Sequence, residues 1–483
     1  MKAAALCIVL SSLAAAAGAA ESGDGMRQFL AKRESRDAEI ARSIWDWAEV
    51  GYQEVKSSAL LQRELTSAGF KVEAGVAGIP TAFVATAGSG EPVIGILAEY
   101  DALPGITQDA VPDRKPVEGK LSGHACGHHL FGTASMSAAI AIANWLKTSG
   151  TAGTIRVYGT PAEEGGAGKV YMVRAGLFND VDAVMHWHPS DVNSAGLDRS
   201  LANKTAKFRF HGVSAHASGA PERGRSALDG IEAMDYMANL LREHVPSDAR
   251  LHYVITSGGS APNVVPDFAE SYHYVRHMDP RVVEDIFDRL VKTAEGAALG
   301  TGTRMEYEVI GGVYNLLANE TLARVMYEKL SEVGGVAYTA EEQAFAKTIY
   351  ATLTSPSVAL GSEANVQAFD FERPGIGSTD VADVSWTVPT VGLRTATWVP
   401  GTPAHSWQAT AAGGMSIGHK GMNVASQTLA LMGRELFTRP KLIAKARAEF
   451  DGRRGPDFKY RALLGDREPA LDYRRGVPGG GEE

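Results

Sequence analysis

Four imidazole or thiol side chains, His124, Cys126, His128 and His129, stand within six consecutive positions of the segment Gly123-His124-Ala125-Cys126-Gly127-His128-His129. Such a run makes a costly core, because every buried polar atom needs a partner, but it makes a compact set of ligands. Other segments carry compatible chemistry: Glu99 and Asp101, then Glu163 and Glu164 within Pro161-Ala162-Glu163-Glu164-Gly165-Gly166, then His186 and His188, and finally His405. Taken singly, each has a plain structural explanation, since paired glutamates usually face solvent and a strand histidine is often a satisfied core residue. Taken together, imidazole, thiolate and carboxylate suit zinc, manganese, cobalt or nickel better than calcium or magnesium. His186 and His188 point to one face of a strand, so either could serve as the ligand at its end.

For these segments to meet, the chain must bring distant stretches to one rim. Val93 to Ala98 is a continuous apolar run, Thr154 to Tyr158 is rich in β-branched residues, and Val181 to Met185 is mostly apolar, as buried parallel strands are. Helices predicted at Ala134 to Lys147 and Lys169 to Leu177 supply the crossovers a parallel sheet requires. In an open α/β sheet, ligands bind beyond the carboxyl ends of the strands, and the reactive residues fall there repeatedly. Helical spacing also runs from Ala31 to Phe70, through Ile44, Trp45, Leu60, Leu61 and Leu65.

The rhythm changes near Leu201. A strand at Lys207 to His211, a helix at Arg225 to His244, strands at His252 to Ser257 and Phe268 to His277, a helix at Arg281 to Ala298 and a strand at Arg304 to Ile310 give the ferredoxin-like order. The chain therefore reads as α/β, with a discontinuous catalytic domain at 25–200 and 314–440. Its mostly parallel sheet is flanked by helices and interrupted by an inserted ferredoxin-like α+β lid or dimerisation domain at 201–313. The second part is expected to hold a helix near Leu317 to Val333, a strand near Val391 to Thr397 and a closing helix from about Met422 to Phe437. The tail at 441–483 mixes Arg, Asp, Pro and Gly without a period, and is expected to wrap the surface or stay partly disordered.

At 483 residues, two domains are the default, and a hydrophobic content of 45% with 21% charged residues describes an ordinary globular chain. A net charge of -9 argues against nucleic acid or an anionic membrane surface as partner, which leaves a small molecule or peptide. Residues 1–20 combine Lys2, an apolar run and the small residues Ala17-Gly18-Ala19-Ala20, the pattern of a signal peptide, so the mature protein is expected to be secreted or periplasmic. No later stretch is apolar for the roughly 20 residues a membrane span needs. Cys7 lies inside that leader. Cys126 is then the mature chain's lone cysteine, which excludes an intrachain disulfide.

The segments Ala98-Glu99-Tyr100-Asp101-Ala102-Leu103-Pro104, His124-Ala125-Cys126-Gly127-His128, Pro161-Ala162-Glu163-Glu164-Gly165 and Gly401-Thr402-Pro403-Ala404-His405-Ser406 together resemble the M20 metallopeptidase family, in its amidohydrolase branch. Trp187-His188-Pro189 and Ser416-Ile417-Gly418-His419-Lys420-Gly421-Met422 are most similar to the group formed by the B subunits of aminobenzoyl-glutamate hydrolases. The resemblance runs from about Ile40 to Phe450. It implies that Cys126, His128, Glu164, His188 and His405 hold two divalent ions, with manganese or zinc first and cobalt or nickel as alternatives, and that Glu163 is the general base. It further implies that Asp101 orients a ligand histidine and that His216 contacts the oxyanion, often across a dimer. Asn263 and Arg276 would grip the carboxylate of a small amide or peptide substrate, an N-acyl amino acid or an aminobenzoyl-glutamate-like compound. Glu99 stands where many relatives carry a histidine ligand. A homodimer, or a hetero-oligomer with a related subunit, follows from the same resemblance.

Three other readings compete. A dipeptidase or carboxypeptidase of the same family would use the same residues. A cysteine hydrolase with Cys126 as nucleophile leaves Glu163, Glu164 and His188 without work, and a non-catalytic binder leaves a complete set of ligands and base unexplained.

Overall fold

The computed structural model describes residues 24–196, 199–371, 375 and 377–475. The leader at 1–20 and the end of the tail from Gly476 lie outside them. The apolar run at β3 (Val93–Ala98) stays in the middle of the sheet because both of its faces are covered. Around it lie β1 (Lys71–Ala74), β2 (Phe83–Ser89), the short pair β4 (Leu103–Pro104) and β5 (Ser122–Gly123), β6 (Gly153–Gly159), β7 (Ala183–Ser190), β8 (Ser194–Ala195) and, after the insertion, β13 (Thr390–Ala396). The large sheet has the order β1-β2-β6-β3-β7-β13-β8. Its centre is parallel, β6 with β3, β3 with β7 and β7 with β13, while β1, β2 and β8 add antiparallel edges.

The helix His128–Ser149 packs across this sheet, and most of it is buried. It begins at the histidines themselves rather than near Ala134, because Gly127 turns the chain at φ 80°, a left-handed conformation only glycine adopts without cost. A Cβ at Gly127 would also meet Pro189 Cβ at 2.6 Å. Trp187, fully buried on β7, donates from Nε1 to the Phe131 carbonyl at 3.0 Å and so locks the strand to the first turn of the helix. A large apolar side chain buried this completely contributes about 1.5–3 kcal/mol.

The inserted domain is a four-stranded antiparallel sheet of order β10-β11-β9-β12, made of β9 (Ala202–His211), β10 (Arg250–Ser257), β11 (Phe268–His277) and β12 (Arg304–Val313). The helices Ala227–Leu241 and Pro280–Thr301 pack on it around a separate core that includes Phe208, Phe210 and Phe287. Ser226 caps the first of them through Asp229 N–H, and Asp279 caps the second through Arg281 N–H with a proline in its first turn.

Among the departures from the sequence reading are the antiparallel strands β1 and β2, which it does not contain. Helix Ala340–Tyr350, closed by a capping box between Thr339 and Glu342, is absent from that reading. The tail is helical at Pro440–Arg454, where only Leu442, Ala446 and Phe450 are buried, a stripe too narrow to give a clear period. Beyond it the chain runs back over the molecule. Arg467 donates to the Val309 and Ile310 carbonyls of β12 at 3.3 and 2.6 Å, and Arg174 donates to the Gly465 and Arg467 carbonyls at 3.0 and 2.7 Å.

Candidate metal centre

Glu99 and Asp101 follow β3, Glu163 and Glu164 follow β6, His188 lies near the end of β7, Cys126 and His128 flank the helix start, and His405 follows β13. Their ligand atoms gather into three overlapping groups, each within 4.8 Å: Cys126 with His128 and His188, Cys126 with Glu164 and His405, and His128 with Glu163 and Glu164. Cys126 Sγ lies 3.5 Å from His188 Nε2. Of the two β7 histidines, His188 meets this cluster, whereas His186 belongs to none of the groups.

The remaining histidines of the run are held by the core. His124 Nε2 faces the Ile44 carbonyl at 3.1 Å and His129 Nε2 the Gly413 carbonyl at 2.9 Å. Burial lowers His124 to about 3, so it is a neutral packing residue.

Asp101 works on two sides. One oxygen lies 2.9 Å from His128 Nδ1 and the other accepts the Glu164 backbone N–H at 2.9 Å. Burial alone would raise the Asp101 carboxyl, but His128 outweighs it and holds the group below its ordinary range. His128 Nε2 therefore faces the cluster. It lies 3.1 Å from Glu99 Oε2 without hydrogen-bonding alignment, and the same is true of Glu164 Oε1 and His405 Nε2 at 3.2 Å. Buried side-chain atoms of Glu99, His128 and Glu164 that converge without hydrogen bonds, beside a thiol, fit divalent ions better than they fit each other.

Electrostatics give each group a character. Burial first, and then the Glu99 and Glu164 charges, lift the Glu163 carboxyl well above its ordinary range. Burial also raises the Cys126 thiol, with Glu164 adding to it, and keeps His188 neutral. For His128, burial is outweighed by Cys126, Asp101 and Glu99, which raise it well above its usual value. Divalent ions would take the thiol and carboxyls as anions and the imidazoles as neutral ligands, releasing protons on binding.

The Glu163–Glu164 loop is braced from three directions. Ala162, at φ 58°, donates its N–H to buried Glu54 at 2.8 Å. The Glu164 carbonyl accepts from Tyr473 Oη at 3.1 Å and from the Arg474 guanidinium at 2.7 Å. His405 sits at φ 59°, a strained position for a non-glycine residue, and donates its N–H to the Ala125 carbonyl at 3.0 Å.

Sequence reasoning missed Lys169. It is fully buried, with Nζ 2.7 Å from Glu99 Oε1 and 2.8 Å from Asp380 Oδ1. Burial would discharge it, but Asp380 and Glu99 outweigh burial and raise it, so it stays a cation. Glu99 is thus spread between Lys169 and His128. By sequence alone, Lys169 is indistinguishable from a solvated charge on a crossover helix.

Arg276 reaches a hollow of about 200 Å³ shared by Glu163, Glu164, Tyr272 and Tyr274. Its guanidinium lies 5.1 Å from the Tyr274 ring centroid. His216 and Asn263 stay away from the cluster. Both are exposed on the inserted domain, where His216 Nδ1 accepts the Ser218 and Gly219 N–H groups and the Asn263 carbonyl accepts the Ala217 N–H at 3.0 Å.

Comparison with known proteins agrees with this architecture. The sequence profile of peptidase family M20/M25/M40 matches residues 95–408. The chain is 42% identical over 441 residues to the B subunit of p-aminobenzoyl-glutamate hydrolase from Escherichia coli (strain K12), covering 86% of this chain and 92% of that protein. An aminobenzoyl-glutamate utilization protein from Klebsiella pneumoniae shares the fold at a TM-score of 0.60 and 20% identity, over 84% of this chain and 97% of that one. A dinuclear metal-binding M20 peptidase from Bacillus subtilis does so at a TM-score of 0.59 and 20% identity, over 84% of this chain and 98% of that one. The chain therefore belongs to peptidase family M20/M25/M40, as a metal-dependent hydrolase of amide bonds.

Proposed function

We propose that this protein hydrolyses the amide bond of an N-acyl amino acid at a pair of divalent ions held by Cys126, His128, Glu164, His188 and His405, with an aminobenzoyl-glutamate-like compound as the first substrate to test. The observation that carries the reading is the overlap of the ligand groups, in which Cys126, His128 and Glu164 each belong to two of three sets of converging donor atoms; these residues, with His188 and His405, would hold the ions. Manganese and zinc are the first choices for such a donor set, with cobalt or nickel next.

Bound there, the ions would activate a water, polarise the scissile carbonyl and stabilise the charge that develops on it. Glu163, which stands beside Glu164 and reaches the donor cluster, takes the proton of the attacking water and delivers it to the departing amine, a task worth about 10²- to 10⁴-fold in rate. Asp101 fixes the tautomer of His128 by accepting at Nδ1, leaving Nε2 for the ion. Arg276, with its planar fork, grips a substrate carboxylate in the hollow beside Glu163.

His216 and Asn263 complete the site from a second subunit, which accounts for their exposure at the tip of the inserted domain. The Escherichia coli relative is named as one of a set of lettered subunits, which makes a related second chain a candidate alongside a second copy of this one. The signal-peptide pattern of residues 1–20 supports a location outside the cytoplasm, in the periplasm or secreted. The test is to strip the purified protein with chelator, assay N-acyl amino acids including aminobenzoyl-glutamate, and then restore manganese, zinc or cobalt. Activity lost and regained supports the reading, and activity indifferent to chelation refutes it.

A further inference from the structure

The candidate centre opens on two sides of Glu163 and Glu164. One side is the hollow with Arg276, and the other is a cavity of about 370 Å³ that Cys126, Glu163, Glu164, His188 and His405 line on one side and whose opposite wall the reading above leaves without a task. Phe131, His186, Arg199 and Arg394 contribute to its wall.

His186 is 9% exposed, and neither of its ring nitrogens has a hydrogen-bond partner among the described residues. Its ring lies over Gly392 of the neighbouring strand, where a Cβ would meet His186 Nε2 at 2.4 Å, and faces the Phe131 ring at 6.4 Å between centroids. The backbone thus makes room for an imidazole that none of the described residues satisfies. A buried polar group of this kind is stable when a ligand supplies its partner.

Arg394 adds charge to the same wall. It pairs with His188 in the parallel ladder between β13 and β7, as Gly392 pairs with His186. Register partners project to one face of a sheet, so the guanidinium rises beside the two histidines. Arg199 lines the cavity from the segment that follows β8. Aromatic surface, an imidazole and two guanidiniums make a receptor for a carboxylate on a flat or short stem.

We infer that His186 and Arg394 bind a second carboxylate of the substrate, so that the enzyme selects amides carrying an acidic group beyond the one Arg276 holds. The inference rests on the reading of the metal centre given above, and it assigns to His186 a substrate contact. The acid could lie on the amine half, as in an N-acyl glutamate, or on the acyl half, as in a carboxybenzoyl amide.

The experiment compares matched amides on the metal-loaded enzyme. Benzoyl-glutamate against benzoyl-glutamine places the charge on the amine half, and 4-carboxybenzoyl-glycine against benzoyl-glycine places it on the acyl half. One pair is expected to differ about tenfold or more in kcat/KM in favour of the acid, because a site built for a charged partner rejects the neutral analogue. Arg394→Gln should bring that ratio to within about twofold mainly through KM, Arg394→Lys should restore part of it, and His186→Leu should reduce it. Melting temperature and metal content identify any variant that has merely unfolded.

Equal rates for both members of both pairs, or a ratio unmoved by Arg394→Gln, overturns the inference while leaving amide hydrolysis in place. Should none of the amides be hydrolysed by the loaded enzyme, the proposed function falls. Calorimetric titration with free glutamate, glutamine, 4-carboxybenzoate and benzoate then decides the cavity separately. Acid-selective binding weakened by Arg394→Gln supports it, and binding without that selectivity overturns it.

Discussion

Asp101 Oδ1 stands 2.9 Å from His128 Nδ1 while Asp101 Oδ2 accepts the Glu164 N–H at the same distance, so one buried carboxylate sets the attitude of two candidate ligands, one at a helix start and one in the loop after β6. Asp101→Asn keeps the shape and loses the charge. We expect metal affinity to fall about 10- to 100-fold, read by equilibrium dialysis in a metal buffer, with little change in the fold. Unchanged affinity would show that Asp101 does not act through His128.

Lys169 is a second such relationship, a cation between Glu99 and Asp380 with no exposure of its own. Lys169→Met leaves two carboxylates buried without their counter-charge and should destabilise the protein by about 3–5 kcal/mol in denaturant unfolding. Adding Glu99→Gln should recover part of that loss, because it removes one of the stranded charges. If the double variant is as unstable as the sum of the singles, the two residues are not coupled.

The tail provides a prediction that concerns rate rather than stability. Tyr473 and Arg474 both donate to the Glu164 carbonyl. Combining Tyr473→Phe with Arg474→Ala frees the loop while preserving the edge-on contact of ring 473 with Tyr52. We expect kcat to fall about ten- to a hundredfold with KM and melting temperature nearly constant, since small displacements of a catalytic group are costly in rate. A drop confined to melting temperature would make the tail a purely structural strap.

Asp383 provides the pH test. Fully buried and accepting from Tyr460 Oη at 2.6 Å, it is raised by burial to about 7. Because its folded pKa lies above the ordinary carboxyl value, the folded state holds more protons between those limits. Its contribution is fully present below about pH 4 and is lost as pH rises through about 7, at up to roughly 1.4 kcal/mol per pH unit. Stability of the wild type should therefore fall across that window relative to Asp383→Asn, and parallel curves would refute the assignment.

Much of this was legible in the residues. Val93–Ala98 announced a strand buried on both faces, and Phe268–His277 alternates in the structure as it does in sequence. The ligand types fell at strand ends because an α/β sheet opens there. Other features left no pattern to read. Tyr473 and Arg474 act on a backbone carbonyl, which no side chain in the sequence signals. Lys169 looks solvated until Asp380, more than two hundred positions away, is brought beside it. His186 and His188 are equivalent by alternation; the resemblance at Trp187-His188-Pro189 favours His188, and in the structure it is His188 that lies beside Cys126.

The central claim is that Glu163 moves the proton while its neighbours hold the ions. Glu163→Gln, assayed on aminobenzoyl-glutamate and related N-acyl amino acids after metal loading, tests it most directly. Metal content should stay unchanged and kcat should fall by about 10²- to 10⁴-fold. Full activity in Glu163→Gln, or wild-type activity that survives complete removal of metal, would contradict it.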